Sequence, residues 1–574
     1  MASEIVVGID FGTTYSGVSW AVNGGTKTVR VINDWPNPSS TVATSDKVPT
    51  IISYQADGTA IWGFSVDSVK TDSFRWIKLL LDPKNQVGKK AEAVLTSTRL
   101  LNTLNKTAEE VAADYLQNIW KYAKEDIQKV RGDDWESIYT LKVVLTVPAI
   151  WSPVAKDKTL KIARKAGLPQ NIDLVSEPEA AALAVLKEKN EDDESLEVGD
   201  CFVVCDAGGG TVDLISYKIV GLDPLAVEEC AVGDGGLCGS VYLDQAFERY
   251  IKTIVGENEW KQIKDKSKKK MMKEFEESIK RCYAGDNQEY SVDLQGVDDN
   301  PQEGIDDDTI TLKPSVLKTV FDHVIGQIMR LVEKQIDEAQ EKGNHVKAIL
   351  LVGGFGTNRY MHRQLKDAHK RSGIQVLQNN GAWSSICRGA TLWGLENSKH
   401  NLSPKKTVRA RIARYSYGFS FAAVFDESKG HRWEDRRQWP DGTWRAINQM
   451  GWLLEKGDKV EEGKILNMSL AAQVQVGMLS TGMRYFSDEL YYSSDDDPPS
   501  RKDVGVKELC KVNYGIKCSK LWQESSYRDP NTHQKWRSAT FDLVIALDSA
   551  TLHFIVKYKN EPVAYTEAKY KEDF

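Results

Sequence analysis

The sequence predicts an α/β protein in which two related lobes face one cleft and are followed by a β-rich C-terminal domain. The first observation is a pattern that occurs twice, about two hundred residues apart. In each copy an apolar strand ends in an aspartate, a turn rich in glycine and threonine follows, and a second strand leads away. The second observation is a change near residue 400, after which apolar and polar residues alternate as in β-strands.

The repeated pattern indicates an internal duplication. Its first copy comprises residues 5–22, and the first strand of that copy ends at Asp10. Its second copy comprises residues 201–217, and the corresponding strand ends at Asp206. Because strand, acid, turn and strand recur in the same order, we infer two lobes of common plan.

Helices and further strands are predicted around the two copies. In the first lobe, apolar spacing and proline or glycine stops predict three helices and one strand, at residues 108–130, 154–167, 176–184 and 141–148. In the second lobe, the same signals predict four helices and a buried strand, at residues 242–255, 275–283, 316–340, 388–397 and 348–352. We therefore assign residues 1–200 to the first lobe and residues 201–398 to the second.

A polar segment at residues 401–406 precedes the β-rich domain, which we place at residues 403–574. Apolar residues alternate with polar ones there, and turn signals recur, which is typical of a β-sandwich. Four tryptophans fall between Trp433 and Trp452. Most are expected in the core, but this group is also the first candidate for a binding surface.

Composition excludes several classes of protein. The 75 Lys and Arg residues are outnumbered by 82 Asp and Glu residues, so no basic field attracts nucleic acid. No stretch of about 18 apolar residues occurs, so no membrane-spanning helix is expected. The first residues have no basic n-region and no cleavage site, so no secretory signal is expected; the eight cysteines are sparse and form no Cys-x-x-Cys pair. We therefore expect a cytoplasmic protein, with the nucleus as a second possible location.

The repeated turn suits a nucleotide phosphate. Glycines let backbone N–H groups approach phosphate oxygens, and threonine hydroxyls add hydrogen bonds. An aspartate at the strand end repels phosphate, but it can hold Mg²⁺ and the waters that bridge to the phosphate. Two such turns facing each other, with Gly353 and Gly354 after a third buried strand, predict a clamp for a triphosphate.

These motifs resemble those of the heat shock protein 70 family, within the superfamily of actin, hexokinase-type sugar kinases and heat-shock ATPases. The resemblance covers residues 4–398 and rests on four motifs in the family's order: residues 9–16, Glu177-Pro178, residues 206–213 and residues 352–354. It implies a duplicated two-lobed actin-like ATPase fold. The sequence is most similar to a divergent heat-shock-like branch with an atypical C-terminal domain.

The resemblance implies roles for individual residues. Asp10 and Asp206 would hold the hydrated Mg²⁺, Lys78 would reach the γ-phosphate, and Glu177 and Asp213 would lie near the attacking water. The two phosphate turns, an additional glycine loop, the adenosine pocket and the nucleoside side would be formed by Gly12, Thr13, Thr14, Tyr15, Gly208, Gly209, Gly210, Thr211, Gly235, Gly236, Lys280, Arg281, Gly353 and Gly354.

The implied function is that of an ATPase. ATP or ADP with Mg²⁺ would be the cofactors, hydrolysis would be slow, and nucleotide state would control a C-terminal surface that binds protein clients. Two alternatives stay open. One is a nucleotide-dependent binding or regulatory module with little hydrolysis, and the other is a small-molecule kinase of the same superfamily, although no sugar-kinase signature is recognisable.

Two features depart from the family pattern. A serine and then an arginine usually follow the paired glycines, whereas here Phe355 follows and the arginine is delayed to Arg359. This delay weakens the expectation that Arg359 stacks on adenine. Residues 398–407 are polar and basic where the family has an acidic-hydrophobic linker, which weakens the expectation of ATP-driven coupling to a peptide domain.

Overall fold

The chain folds into two units that divide between Val408 and Arg409. The structure is a computed structural model, and it describes residues 3–24, 28–38, 44–81, 92–187, 197–223, 225–378, 381–398, 406–461, 463–479, 481–547, 552–563 and 565–570. The predicted gap between domains, residues 399–402, lies outside these ranges. The second unit begins somewhat later than the predicted residue 403.

The first lobe is built on a sheet whose central strand is Glu4–Asp10. The strand order is Arg30–Val31, Tyr15–Asn23, Glu4–Asp10, Thr140–Val147 and Ile172–Ser176. The central strand pairs antiparallel with the strand that follows it and parallel with Thr140–Val147. All of its residues are buried, as expected of a strand that is covered on both faces.

The second lobe repeats this plan. Its strand order is Leu225–Glu229, Val212–Leu222, Cys201–Ala207, Val346–Val352 and Gln375–Leu377, with the same directions of pairing. The register places Asp10 opposite Gly17 in one lobe and Asp206 opposite Asp213 in the other. The two aspartates therefore occupy equivalent positions in two sheets of one topology, as the internal duplication requires.

Helices and short strands surround the two sheets. The helices are Glu92–Leu104, Ala108–Arg131, Trp135–Ile138, Pro153–Lys165, Glu177–Lys187, Val241–Val255, Glu257–Gln262, Asp265–Glu274, Lys280–Cys282, Pro314–Glu341, Arg359–His369 and Ser385–Glu396. The short strands are Val48–Pro49, Ile51–Tyr54, Ala60–Trp62, Phe74–Arg75, Asp234–Gly236, Tyr290–Asp293, Ile305–Asp306 and Thr309–Leu312.

Local sequence signals explain where several helices begin. Thr107 and Glu110 form a capping box at the start of Ala108–Arg131, and Ser152 caps Pro153–Lys165 through its side chain. The helix predicted at residues 275–283 differs most from expectation. It opens with a π-helical turn at Phe275–Ile279, which continues the lysine-rich helix Asp265–Glu274 and precedes Lys280–Cys282.

Two helices join the lobes at the base of the first unit. Glu177–Lys187 and Ser385–Glu396 contribute to one core together with residues of both sheets. Gly389 makes their close approach possible, because a Cβ at that position would fall 1.7 Å from the carbonyl oxygen of Ala180. The two lobes therefore share a packed base beneath the ends of the strands that carry Asp10 and Asp206.

In the second unit, two antiparallel sheets enclose one core. The first sheet has the order Arg436–Gln438, Trp444–Leu454, Ser416–Val424, Met483–Ser493, Lys507–Lys517 and Tyr565–Tyr570. The second has the order Ile465–Gln475, Lys535–Leu547, Leu552–Tyr558 and Glu561–Pro562, with Ser526–Arg528 beside Lys535–Leu547. Residues 410–412 pair with Lys459–Glu461, and one short helix lies at Cys518–Leu521.

The core of the second unit is aromatic and aliphatic. The ring of Phe541, from the second sheet, lies 5.2 Å from that of Phe486 and 5.0 Å from that of Tyr514, both from the first sheet. Phe541, Leu543 and Ile545 are all buried, as expected of residues two positions apart on one face of a strand. Within the described part of the chain, no helix has the length and apolar character needed to cross a membrane.

Candidate functional site

A cavity of about 240 Å³ lies where the two glycine-threonine turns meet. It brings together most of the residues that the sequence singled out. Those lining it are Asp10, Gly12, Thr13, Thr14, Tyr15, Lys78, Glu177, Asp206, Gly208, Gly209, Gly210, Thr211, Lys280, Arg281, Gly353 and Gly354. Residues far apart in the chain and from both lobes thus share one wall, as a two-lobed clamp requires.

The two turns approach each other so closely that only glycine fits at two positions. A Cβ on Gly209 would lie 2.5 Å from Oγ1 of Thr14, and a Cβ on Gly210 would lie 2.6 Å from Oγ1 of Thr13. Side chains at these positions would push the lobes apart. The glycines therefore serve the approach of the two turns as well as the exposure of backbone N–H groups.

Asp206 is a buried carboxylate with an unsatisfied oxygen. Its Oδ1 has no hydrogen-bond partner among the described residues, and Gly353 faces it so closely that a Cβ there would lie 2.4 Å away. Burial raises the pKa of Asp206 well above its usual value, and the negative charges of Glu177, Asp213 and Asp10 raise it further. A cation beside Asp206 would relieve both the missing hydrogen bond and the repulsion.

Asp10, the equivalent residue of the first lobe, already has a cationic partner. The Nζ of Lys47 donates to its Oδ2 at 2.5 Å, and Oγ1 of Thr146 lies 3.4 Å from its Oδ1. The acidic pair at the strand ends is therefore asymmetric: a lysine neutralises Asp10, whereas Oδ1 of Asp206 has no hydrogen-bond partner in the part of the chain that the structure describes.

Lys78 and Glu177 form a second buried ion pair on the cavity wall. Lys78 lies in the short 3-10 helix Ile77–Leu80, and its Nζ donates to Oε1 of Glu177 at 2.7 Å. Burial raises the pKa of Glu177 to about 7; Lys78 opposes this rise, and Asp10 and Asp213 add to it. Glu177 can therefore exchange a proton near neutral pH.

Three predicted site residues do not line the cavity: Asp213, Gly235 and Gly236. Oδ1 of Asp213 accepts a hydrogen bond from the backbone N–H of Ile150 at 2.9 Å, which ties the second turn to the first lobe. Gly235 pairs with Asp213 in the sheet, and a Cβ on it would lie 2.5 Å from the carbonyl oxygen of Val212. The structure thus places Gly235 against a strand and outside the lining of this cavity, and the contact of the additional glycine loop with phosphate stays a prediction.

The cavity also contains residues that the sequence did not indicate: Lys47, Ser240, Glu276, Phe355, Thr357, Asn358, Trp383 and Ile386. Arg359 is not among the lining residues. On the side of Lys280 and Arg281, Trp383 packs edge-on against Tyr15, with 5.6 Å between ring centroids. The guanidinium of Arg281 lies 6.0 Å from the centroid of the Trp383 ring. Trp383 and Arg281 therefore provide the flat surfaces that an adenine base would stack on.

The residues suit a hydrated divalent cation in part. No cluster of three or more His, Cys, Asp or Glu side chains in the described ranges is arranged to hold a metal ion. A cation here would therefore depend on Asp206, Asp10, water and phosphate oxygens, the oxygen ligands that Mg²⁺ prefers. The unsatisfied Oδ1 of Asp206 fits this role, whereas Asp10 shares its Oδ2 with Lys47.

Comparison with known proteins shows two matches to families. Residues 6–394 match the family described as Hsp70 protein, and residues 411–572 match a domain of unknown function, DUF8568. These two matches fall in the two structural units on either side of Val408.

Individual relatives agree with the family match. The chain is 25% identical to heat shock 70 kDa protein 12A of Mus musculus over 518 residues, which is 74% of this chain and 73% of that protein. It is 23% identical to heat shock 70 kDa protein 12B of Homo sapiens over 509 residues, 72% of this chain and 71% of that protein. It is 27% identical to chaperone protein DnaK of Mycoplasmopsis synoviae over 366 residues, which span 62% of this chain but only 52% of DnaK.

Proposed function

The chain belongs to the Hsp70 family, and from this premise we propose that it binds ATP in the cavity between its lobes and hydrolyses it slowly to ADP and phosphate. The prediction of a divergent member of this family, with an actin-like ATPase fold and an atypical β-rich C-terminal domain, is confirmed. The observation that carries the proposal is the meeting of two glycine-threonine turns around buried acids, with Lys78 and Glu177 on the same wall.

The proposed position of the nucleotide follows from the cavity wall. The triphosphate would lie between the two turns, where backbone N–H groups and the hydroxyls of Thr13, Thr14 and Thr211 are available. The adenine would lie on the side of Arg281 and Trp383, where planar groups can stack. Gly354 also lines the cavity and would let the backbone approach the nucleoside, because it carries no side chain.

In the proposed hydrolysis, the protein positions groups and stabilises charge. Mg²⁺ would be held through water by Asp206 and Asp10, and it would neutralise charge on the phosphates. Lys78 would leave Glu177 and move to the γ-phosphate, because a phosphate is the stronger partner for an ammonium. Glu177, once released and ionised, would accept a hydrogen bond from the attacking water and orient it. Asp213 would act from behind the second turn by holding that turn against Ile150.

We further propose that nucleotide state controls binding of a protein client by the C-terminal unit in the cytoplasm. DnaK, among the relatives, carries the name of a chaperone. In the C-terminal unit, Trp433 and Trp444 are 59% and 44% exposed, and Arg436 lies between them with its guanidinium 4.7 and 4.1 Å from their rings. Exposed tryptophan next to arginine is the composition that protein-binding sites favour.

One observation favours a second candidate function, a nucleotide-dependent binding module with little hydrolysis. The Nζ of Lys47 lies 2.5 Å from Oδ2 of Asp10, so the carboxylate that would help to hold the metal is already neutralised. A more weakly bound metal ion would leave the γ-phosphate less activated, while the two turns would still bind that phosphate. Tight ATP binding without phosphate release would support this module over the ATPase.

The test compares ATP turnover and ATP binding in four proteins. Asp10→Asn and Asp206→Asn remove one acid of the pair each, and Asp173→Asn is the control because it replaces a surface carboxylate of the first lobe, paired with Lys142. We expect turnover to fall by about tenfold or more in the first two variants and to stay unchanged in the control. Equal rates in all four proteins would refute the assignment of the site.

A further inference from the structure

Lys47 is a buried cation on the wall of the cavity. Its Nζ lies 2.5 Å from Oδ2 of Asp10, and both side chains are almost fully enclosed, with 5% and 3% of their surface exposed. The two side chains form a buried ion pair, and a buried charge with one close partner is costly to separate from that partner.

The backbone around Lys47 holds it in this place. The next two residues form the strand Val48–Pro49, which pairs with Tyr15 and Ser16 directly after the first phosphate turn. On the other side of Lys47, Asp46 accepts a hydrogen bond from Oγ of Ser384 at 2.8 Å. The backbone of Lys47 is thus held on one side by the strand that pairs next to the phosphate turn. On the other side it is held by the hydrogen bond between Ser384 and Asp46, so the ammonium has a defined position.

The stem of Lys47 is also packed. A Cβ at Gly17 would lie 3.1 Å from Cγ of Lys47 and 3.3 Å from Sγ of Cys387, so the glycine provides the space that the lysine stem fills. A lysine side chain on the surface would need no such space. The structure accommodates the whole side chain between the strand of Gly17 and the helix of Cys387.

The charges around the cavity are matched unequally. Glu177 is paired with Lys78 and Asp10 with Lys47, while Oδ1 of Asp206 has no partner among the described residues. A divalent cation placed between the two aspartates would therefore find Asp206 open and Asp10 shared with an ammonium of the same sign. Repulsion between that ammonium and the divalent cation would weaken binding of the cation, while the ammonium itself would attract phosphate.

We propose that Lys47 acts as a built-in cation of the nucleotide site, so that nucleotide binds with little dependence on a divalent metal and the metal binds weakly. This proposal rests on the proposed nucleotide binding and makes it more specific: the metal dependence of binding is set by one lysine. Replacing Lys47 by an uncharged residue frees Asp10 for the metal and transfers the neutralisation of phosphate to it.

The test measures affinity for ADP by calorimetry, with Mg²⁺ present and after chelation of divalent ions. The variants are Lys47→Met, which removes the charge, and Lys47→Arg, which keeps it. Lys142→Met is the matched control, because Lys142 pairs with Asp173 at 2.9 Å elsewhere in the same lobe. A second readout is the affinity of each protein–ADP complex for Mn²⁺, followed by electron paramagnetic resonance.

We expect chelation to weaken ADP binding by less than about threefold in the wild type, in Lys47→Arg and in Lys142→Met, and by at least about tenfold in Lys47→Met. Mn²⁺ should bind about tenfold more tightly to Lys47→Met with ADP than to the wild type. The proposal is overturned if chelation abolishes binding to the wild type, or if Lys47→Met responds to chelation as the wild type does. Should Lys47→Met fail to fold, the response of the wild type decides. Absence of ADP binding to the wild type under both conditions would instead refute the proposed nucleotide site.

Discussion

The Nζ of Lys78 lies 2.7 Å from Oε1 of Glu177, and both side chains are buried on the wall of the cavity. Each of these groups would have another partner once a triphosphate is bound: the γ-phosphate for the lysine and the attacking water for the glutamate. The ion pair therefore holds Lys78 and Glu177 in contact while no nucleotide is bound. In the proposed mechanism, its opening would couple the arrival of the γ-phosphate to the release of the carboxylate that would orient water.

The first prediction concerns the pH dependence of ATP hydrolysis. The pKa of Glu177 is raised to about 7, mainly by burial. The ionised fraction of Glu177 therefore increases between about pH 6 and pH 8. Because the ionised carboxylate accepts the water's hydrogen bond more strongly than the neutral acid does, single-turnover hydrolysis should rise over this range. Glu177→Gln should be at least about a hundredfold slower and should lose the pH-dependent rise.

The control for this prediction is Glu136→Gln, because Glu136 is exposed and lies on a short surface helix. It should keep both the rate and the pH profile of the wild type. Lys78→Met should also be slow at every pH, since the γ-phosphate loses its lysine. A wild-type rate that is flat from pH 6 to pH 8 would contradict the role given to Glu177.

The second prediction concerns the contact between the two phosphate turns. In Gly209→Ala the new methyl group would lie 2.5 Å from Oγ1 and 2.8 Å from Cγ2 of Thr14, so the lobes must separate. We expect ADP affinity to fall by about tenfold or more, at a cost in the free energy of unfolding of about 1–3 kcal/mol. Adding Thr14→Ala removes both clashing atoms and should restore the stability.

Gly326 offers the matched glycine for this experiment. It lies inside the helix Pro314–Glu341, and a Cβ there would meet, among the described residues outside its own helix backbone, only the end of the Arg330 side chain at 3.8 Å. Gly326→Ala should therefore keep ADP affinity and raise stability by roughly 0.5–1 kcal/mol through helix propensity. Equal ADP affinity in Gly209→Ala and Gly326→Ala would show that the turns do not need to touch.

The duplicated lobes could be predicted from sequence because their signal is local and repeated. An apolar strand, an acid and a glycine-rich turn are contiguous in the chain, and the second copy, ending at Asp206, tests the first, ending at Asp10. The pairing registers then place both acids at equivalent positions. The β-rich unit could also be predicted, because apolar residues at every second position, such as Phe541, Leu543 and Ile545, indicate a buried face of a strand.

Other parts of the site could not be predicted because they depend on tertiary contacts. Lys47 stands before a two-residue strand, and only the pairing of that strand with residues 15–16 brings it to Asp10. Trp383 enters the cavity from the segment before the last helix of the lobe. The pairing of Gly235 with Asp213 in the sheet likewise depends on tertiary structure and could not be predicted from the glycine motif alone.

The third prediction concerns an ion pair that crosses the cleft. Arg75 of the first lobe donates to Oε2 of Glu276 of the second lobe at 2.6 Å, near the hydrogen bond from Arg281 to the hydroxyl of Tyr15. A separation of the lobes during release of the proposed nucleotide would break this bridge. We expect Arg75→Gln to speed the dissociation of ADP by about threefold to tenfold in stopped-flow measurements.

The same pair predicts a pH effect on stability. Burial raises the pKa of Glu276, but Arg75 and Lys280 outweigh it and lower the pKa to about 2. The stabilisation is therefore complete above the unfolded pKa of about 4.5 and is lost as pH falls from there towards 2. Arg75→Gln should reduce this loss, whereas Lys270→Gln, which breaks a surface pair with Asp293, should leave it unchanged.

The fourth prediction concerns the C-terminal unit, where a single buried carboxylate joins distant segments. Arg501 donates to Asp435 through Nε at 2.6 Å and through Nη2 at 3.1 Å, and Asn448 donates to Oδ1 of the same residue at 2.8 Å. The hydrogen bond from Arg501 lowers the pKa of Asp435, so its contribution is present above its unfolded pKa of about 3.8 and is lost below it.

Asp435→Ala should lower the free energy of unfolding of this unit by about 2–4 kcal/mol, because it leaves a guanidinium and an amide without their buried acceptor. Glu434→Gln is a stringent control, since Glu434 is adjacent, also accepts from Arg501 and is 64% exposed. It should cost no more than about 0.5 kcal/mol, as expected of a surface pair. Urea denaturation followed by tryptophan fluorescence can report both changes, because Trp433 and Trp444 lie close to these residues in the sequence. If the two variants unfold at the same urea concentration, burial of Asp435 does not hold these segments together.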